Sequence, residues 1–489
     1  MNTFYPYLPA LIDFLKAQRP GSAITQTGAR LSQLKDSTLS ELQSIFADRL
    51  PAHLLNRQKV GIHSRDRVFS LRITFWTFLS QILSPGSSCR EAVRKVQALL
   101  WIDQRRQINE DTSAYCQARE RLAEPTLQGI HQGVVQRLEA AATTEQLWLG
   151  RRVRIVDGTT LSMPDTPQNQ ALYPQASGQK PGCGFPLMKV VGLFSLATGA
   201  ILSVVKSTFD VHESRLFRQI WNLLKPGDVV LGDRAFCSYQ TINLLKQQGV
   251  DSVFRLHQKR KADFRKGRSL GAQDHQVIWQ KTRQKTPTMS RQDFETLDSE
   301  LTLRELKITV NIKGFRTRSI LLVTTLLDPV AYPKEALAQL FLRRWMVELF
   351  FRDIKVTLAM DVLKCKAPEM ISKELWMHLI AYNLIRSLML QAACQFNVEL
   401  SRISFKGSVD TLRQWAWAID SARHQKKKLS LLLNSMLFLI AKDLLPHRPH
   451  RSEPRAVKKR PKAYQLLNKP RHQMIVVPHR SKYRKPALS

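Results

Sequence analysis
Acidic side chains are scarce in this chain. Asp and Glu number 39 against 75 Lys and Arg, which leaves a formal charge of +36 over 489 residues. Such a surplus speaks for a polyanionic partner, because neutralising phosphates releases counterions and steers association. Ribosomal RNA or an anionic membrane surface would draw the same surplus, so charge alone does not choose among them. Cysteine is also sparse: the six, at 89, 116, 183, 237, 365 and 394, include no C-x-x-C pair. That pattern excludes a disulfide scaffold and reads as reduced thiols of a cytoplasmic protein. Nowhere does an uninterrupted apolar run reach the roughly 18 residues of a membrane span, and the start lacks the basic-then-apolar layout of a secretory signal. The expectation is a soluble protein without a membrane partner.

What is present divides by periodicity. Residues 1–145 alternate helical patterns with polar breaks. Arg65 to Leu83 is one expected helix, with Ser64 as its N-cap; Pro85-Gly86-Ser87-Ser88 breaks the chain before a second at Cys89 to Leu100, and Thr112 to Leu122 makes a third. This N-terminal helical domain is expected to bind DNA in the manner of a helix-turn-helix reader, or simply to support the domain after it. From 146 to 395 the pattern is α/β. Strand-like runs fall at 151–156, 188–196, 200–209, 228–232 and 251–256, with helical runs at 211–224 and 238–248. Three antiparallel strands followed by strand and helix alternation is the order of a ribonuclease-H-like core. Residues 258–330, with β-type alternation at Thr302 to Val310 and Ser319 to Leu326, read as a β-rich insertion whose basic start, Lys259 to Arg268, can track a DNA backbone. A helical region comes next over 396–446, then a basic, Pro-containing tail over 447–489 that reads as flexible.

The chemistry concentrates in three places. Arg151-Arg152-Val153-Arg154-Ile155-Val156 ends at Asp157-Gly158, so Asp157 is expected at the C-terminal end of a strand. Asp228-Val229-Val230-Leu231-Gly232 leads likewise to Asp233-Arg234. The third is Arg344-Trp345-Met346-Val347-Glu348, where apolar positions 340, 341, 347, 350, 351, 354 and 358 recur at helical spacing. On one such helix Arg344, Glu348 and Lys355 share a face, and the flanking aromatics suggest that this face is partly buried. Carboxylates from two strand ends and a packed helix can clamp two Mg²⁺ ions about 3.5–4 Å apart while the cations grip phosphate. Trp345 and Trp279 are candidates for stacking on an unpaired base. His212 and Glu213 begin a helix beside the site, where a capping or supporting role fits better than metal ligation.

These residues resemble the DDE transposases of bacterial cut-and-paste insertion sequences, specifically the insertion-sequence-four family. The resemblance is carried by Asp157, Asp233 and Glu348, and by Arg344, Glu348 and Lys355 falling on the family's Tyr-x2-Arg-x3-Glu-x6-Lys signature. Further matching words are Tyr115-Cys116-Gln117-Ala118-Arg119-Glu120-Arg121-Leu122, Gln179-Lys180-Pro181-Gly182-Cys183-Gly184-Phe185-Pro186 and Ala381-Tyr382-Asn383-Leu384-Ile385-Arg386. One position departs from the signature: its tyrosine is Phe341 here, which removes a phenolic hydroxyl. The resemblance implies metal-dependent cleavage at transposon ends and strand transfer into target DNA. It further implies Asp157, Asp233 and Glu348 as ligands of two Mg²⁺, with Mn²⁺ able to substitute, and phosphate contacts from Arg344, Lys355 and Arg234. The implied partners are the terminal inverted repeats, target DNA and a second copy of the chain in a dimeric synaptic complex, with a hairpin intermediate. The implied location is bacterial cytoplasm, at the nucleoid. The same residues leave two alternatives: a structure-selective ribonuclease-H-type nuclease, and a non-catalytic DNA-binding relic.

Overall fold
The computed structural model describes residues 40–56, 67–104, 109–285, 289–309, 319–422, 424–446 and 464–474. Much of the expected N-terminal reader, residues 1–39 and 57–66, and most of the tail lie outside them. The N-terminal described part is helical: α1 (Ser40–Phe46), α2 (Leu71–Leu83), α3 (Cys89–Gln104), α4 (Ser113–Arg121) and α5 (Glu124–Ala140). Helix α2 begins six residues later than its apolar pattern suggests because Ser70, not Ser64, caps it, accepting from Ile73 N at 3.3 Å. In α4 the Tyr115 hydroxyl donates to Gln81 of α2 at 3.0 Å, and Arg119 lies over the Phe78 and Tyr115 rings. The Tyr115–Leu122 word therefore helps lock α4 to α2.

The centre is one mixed sheet of nine strands in the order β3-β2-β1-β4-β5-β9-β8-β7-β6. Strand β1 (Val153–Ser162) is followed by a short helix α6 (Pro167–Leu172), then β2 (Leu187–Ser195), antiparallel to β1, and β3 (Ile201–Thr208), antiparallel to β2. Helix α7 (Glu213–Arg218) leads to β4 (Val229–Gly232), and α8 (Tyr239–Gln247) to β5 (Asp251–Arg255); β4 runs parallel to β1, and β5 parallel to β4. The apolar run expected as a helix over 211–224 is helical only to Arg218, with a separate 3-10 turn at Trp221–Leu223. Strand β1 is longer than expected: Asp157 sits mid-strand rather than at the C-terminal end, because β2 pairs with it as far as Ser162.

The strands of 258–330 extend this sheet and do not form a separate layer. They are β6 (Arg268–Gly271), β7 (Asp274–Gln280), β8 (Glu300–Thr309) after the short α9 (Arg291–Glu295), and β9 (Ser319–Thr324). Strand β9 joins antiparallel to β5, and β8, β7 and β6 follow outward. Inside this extension Arg304 is buried against Asp274, its Nε donating at 2.8 Å.

The segment read as one helix around Glu348 is four pieces: α10 (Lys334–Leu342), a 3-10 turn (Arg343–Trp345), α11 (Met346–Arg352) and a π turn (Asp353–Thr357). Apolar periodicity survives such changes of winding because i+3, i+4 and i+5 neighbours share a face to within part of a turn. The long α12 (Pro368–Gln395) is apolar nearly all round and buried, then α13 (Phe405–Ser421) and α14 (Lys426–Lys442) close the chain's helical end. Three α12 residues from the Ala381–Arg386 word grip the β2–β3 turn. Tyr382 donates to Gly199 O at 2.7 Å, Asn383 bonds Ile201 N and O at 3.0 and 2.9 Å, and Arg386 donates to Thr198 O. Gly199 turns at φ +70°, and a Cβ there would collide with the Arg386 guanidinium.

Residues 464–474 lie on the loop before β2: Leu467 N donates to Cys183 O at 3.0 Å, Arg471 Nε to Asp165 at 2.7 Å, and Tyr464 stacks on Phe185 at 4.8 Å. The Gln179–Pro186 word is thus the seat of a C-terminal strap. Among the described residues no helix is long and apolar enough to cross a membrane.

Candidate active site
Strand β4 pairs with β1 only over Val153–Ile155, in the register Ile155 to Leu231. Continuing that register two residues brings Asp233, the residue after β4 ends, level with Asp157. Both carboxylates are oriented by main-chain amides. Asp157 Oδ1 accepts from Gly158 N at 2.8 Å, and Asp233 Oδ1 from Ala235 N at 2.7 Å in the turn after β4. Burial pushes the Asp157 carboxyl up to about 6; the Gly158 amide and Arg344 oppose the shift, while Asp233 and Glu213 add to it.

The third carboxylate arrives from α11, which packs on β1. It is set by apolar anchoring beneath: Phe350 and Phe351 are buried against Phe194 of β2, and Phe351 meets Gly192, the cross-strand partner of Asp157. Glu348 itself is exposed, with 61% of its side chain accessible. This corrects the reading of its face as partly buried: Phe350 and Phe351 are buried while Glu348 between the anchors stays open. Arg344 spans the gap, its Nη1 3.9 Å from Asp157 Oδ2 and its Nη2 3.8 Å from Glu348 Oε1. Its guanidinium also lies near the Phe341 and Trp345 rings, 5.8 and 5.9 Å from their centroids. Phe341, at the signature aromatic position, is 2% exposed.

Lys355 is placed by the π turn. Its Nζ donates to Thr159 Oγ1 at 3.0 Å and Thr160 O at 2.9 Å, just past Asp157 along β1. Just beyond, Ser162 N donates to Asp361 O and Leu363 N to Ser162 O, at 3.0 and 2.9 Å, so the helical segment is stapled to β1 at its far end too. The extra residue of a π turn lets Lys355 face β1 although the helix no longer keeps α spacing.

Two further residues neighbour the site: Glu213, which the sequence reading set beside it in a capping or supporting role, and Arg255, which that reading missed. Arg255 ends β5, where burial and the nearby charges of Arg234 and Arg344 lower its pKa and the Asp233 carboxylate opposes them. A strand-end arginine has no signal of its own; only the β4–β5 pairing reveals it. Glu213 stands beside Gly158, and its partner His212 caps α7, accepting from Ser214 N at 3.3 Å. Two other candidates have partners of their own. Arg234 donates to Gln258 at 3.0 Å. Trp279 is buried, donating to Glu305 at 2.8 Å beneath the Arg260 guanidinium, and offers no free face for a base.

The acceptors at the site are carboxylate oxygens, hard donors that suit Mg²⁺ or Mn²⁺. Among the described residues they are not drawn into a ready cage of three, and it is Arg344 that stands between Asp157 and Glu348. The donor set fits a hard divalent cation, with the Arg344 charge bridging the carboxylates.

A family profile described as "Transposase DDE domain" matches residues 148–384. The chain is 27% identical over 436 residues to the transposase InsG of insertion sequence element IS4 from Escherichia coli (strain K12), covering 88% of this chain and 95% of that one. It is 26% identical over 269 residues to a probable transposase of insertion sequence element IS5377 from Geobacillus stearothermophilus, covering 54% of this chain and 63% of that protein. Among solved structures, a piggyBac transposase synaptic complex with hairpin DNA aligns over 85% of this chain and 87% of its own, with 10% identity and a TM-score of 0.43.

Proposed function
Because the chain belongs to the DDE transposases of the insertion-sequence-four family and so serves DNA transposition, we propose that Asp157, Asp233 and Glu348 form its nuclease and strand-transfer site. The observation that carries this reading is their arrangement: two carboxylates in strand register and a third bridged to Asp157 by Arg344. Strand order 3-2-1-4-5 with three antiparallel strands first supports a ribonuclease-H-like core, which the remaining strands extend.

Divalent ions held by the three carboxylates would activate the attacking water or 3′-hydroxyl and stabilise the leaving oxygen. The rest of the work is done by the protein's own cations. Arg344 offers a planar donor pair to a phosphate at the position where it now meets Asp157 and Glu348. Lys355 holds β1 at Thr159 and Thr160, fixing the strand that presents Asp157 and leaving its charge beside the scissile region. Arg234 and Arg255 extend the cationic rim around Asp233. The substrates on this reading are duplex transposon ends and target DNA, brought together by two copies of the chain in the bacterial cytoplasm.

The test uses the full chain on a duplex carrying one transposon end. Asp157→Ala, Asp233→Ala and Glu348→Ala are each expected to abolish Mg²⁺-dependent nicking while retarding the DNA in gels as the unaltered protein does, since one lost ligand misplaces the ions but removes no DNA contact. A variant that nicks at the unaltered rate leaves the triad. Joining of a supplied 3′-hydroxyl end separates a transposase from a purely hydrolytic nuclease.

A further inference from the structure
Gly158 lies in extended strand with no left-handed backbone, so its φ does not call for glycine. Space does. A Cβ at 158 would stand 2.5 Å from Glu213 Cδ and closer still to Oε1. The Glu213 carboxylate is therefore laid against the main chain of β1 one residue from Asp157.

The pleat shows from which side it comes. Side chains alternate along β1, and cross-strand partners share a face. Asp157 pairs with Gly192, which meets Phe351 of α11; Gly158 pairs with Val191 and Thr160 with Lys189 on the other face, where α7 packs. Glu213 and Glu348 thus approach the same point of β1 from opposite faces of the sheet. Glu213 is held there. His212 caps the start of α7, and Lys189 Nζ donates to Val211 O at 2.8 Å, tying down the turn that carries it. Yet the Glu213 carboxylate accepts no hydrogen bond and enters no ion pair within 4 Å among the described residues. It lies within Coulombic reach of both Asp157 and Asp233, and of the Lys189 and His212 cations, which oppose them. Burial and the two like charges still raise the cost of the charged carboxylate, a cost that a divalent cation would offset.

We propose that Glu213 is a fourth carboxylate of the site, a positioning residue that reaches past Gly158 and fixes, through cation-bound water, the ion shared by Asp157 and Asp233. The proposal rests on the metal-site reading of those two aspartates. It also assigns Gly158 a purpose: the glycine is the gap through which the second face of the sheet contributes.

Mn²⁺ binding to the full-length protein without DNA, followed by calorimetry and by the electron paramagnetic resonance of free Mn²⁺, tests this apart from activity. Glu213→Gln is expected to weaken Mn²⁺ binding by about tenfold or more, as loss of an outer partner to a metal does, and to raise by a similar factor the Mn²⁺ concentration for half-maximal nicking. The nicking rate at saturating Mn²⁺ should fall much less. Gly158→Ala, which fills the gap, should reproduce the effect with Glu213 intact, and Glu213→Asp should restore part of the affinity. Melting in EDTA identifies a variant that fails to fold; the others then carry the test. If Glu213→Gln and Gly158→Ala bind Mn²⁺ as the unaltered protein does while Asp157→Asn and Asp233→Asn lose it, the role of Glu213 is refuted and the metal site stands. If the two aspartate variants also bind normally, the metal-site reading falls and this proposal with it.

Discussion

At the scale of single residues, the signature aromatic position shows how burial changes an expectation drawn from chemistry. A tyrosine there would seem to offer a hydroxyl to phosphate, and its absence a lost contact. Phe341 is 2% exposed, however, with the Arg344 guanidinium near its ring. A hydroxyl at that depth needs a partner of its own, and a buried unpaired one costs about 1–3 kcal/mol. Phe341→Tyr is therefore expected to lower the melting temperature and leave the rate of end cleavage unchanged; faster cleavage at an unchanged melting temperature would show that the hydroxyl reaches the DNA. The carboxylates Asp157 and Asp233 were legible in the sequence because each follows an apolar β-rich run. Glu213 was legible as part of a helix start beside the site, but its contact with Gly158 was not, and Arg255 was not legible at all, because these approaches come from α7 folding over β1 and from β4 pairing with β5. The exposure of Glu348 was misjudged for a related reason: flanking aromatics say that a helix is anchored, but not which side faces the sheet.

At the scale of elements, most strands were found to within a residue or two, but the far half of β1 and the positions of β6 and β7 were not, nor was the joining of the inserted strands to the core. Alternation along 302–310 and 319–326 marks β8 and β9, but nothing in it says that β9 hydrogen-bonds to β5 and so continues the core sheet. The helical stretch was found, while its 3-10 and π turns were hidden by a periodicity that tolerates both. The seam between α5 and α12 carries a prediction of its own. His131 of α5 is buried, hydrogen-bonded to Asn383 of α12 at 3.1 Å and edge-on to Trp376. Burial depresses its pKa from 6.5 to about 4, and burial also lowers that of His378 on α12. Between these values the unfolded chain takes up protons that the folded chain refuses, so stability is full above about pH 6.5 and falls as pH drops toward 4. The melting temperature should decline over that window, and His131→Gln should decline less steeply. An equal slope in the two proteins would place the acid sensitivity elsewhere.

At the scale of the whole molecule, charge and strand order act together. With a formal charge of +36, affinity for duplex DNA should fall steeply with salt, the logarithmic slope shrinking by about 0.9 for each phosphate contact removed. The strap makes the tail's share measurable, since truncation after Met474 removes Arg480, Lys482, Arg484 and Lys485 but keeps the contacts of 464–474 with the loop before β2. That truncation is expected to flatten the slope; the same slope before and after would show these cations idle in binding. The nine-stranded sheet has a different consequence, for how such a chain can change over time. Strand β5 has neighbours on both sides, β4 and β9, and its Val253 and Phe254 are fully buried. Excising the segment between β5 and α10 would not return a smaller enzyme. It would strip one side of an interior strand and leave an adhesive rim of unpaired amides and carbonyls next to the site, so the insertion, once joined to the sheet, can be altered within but not removed.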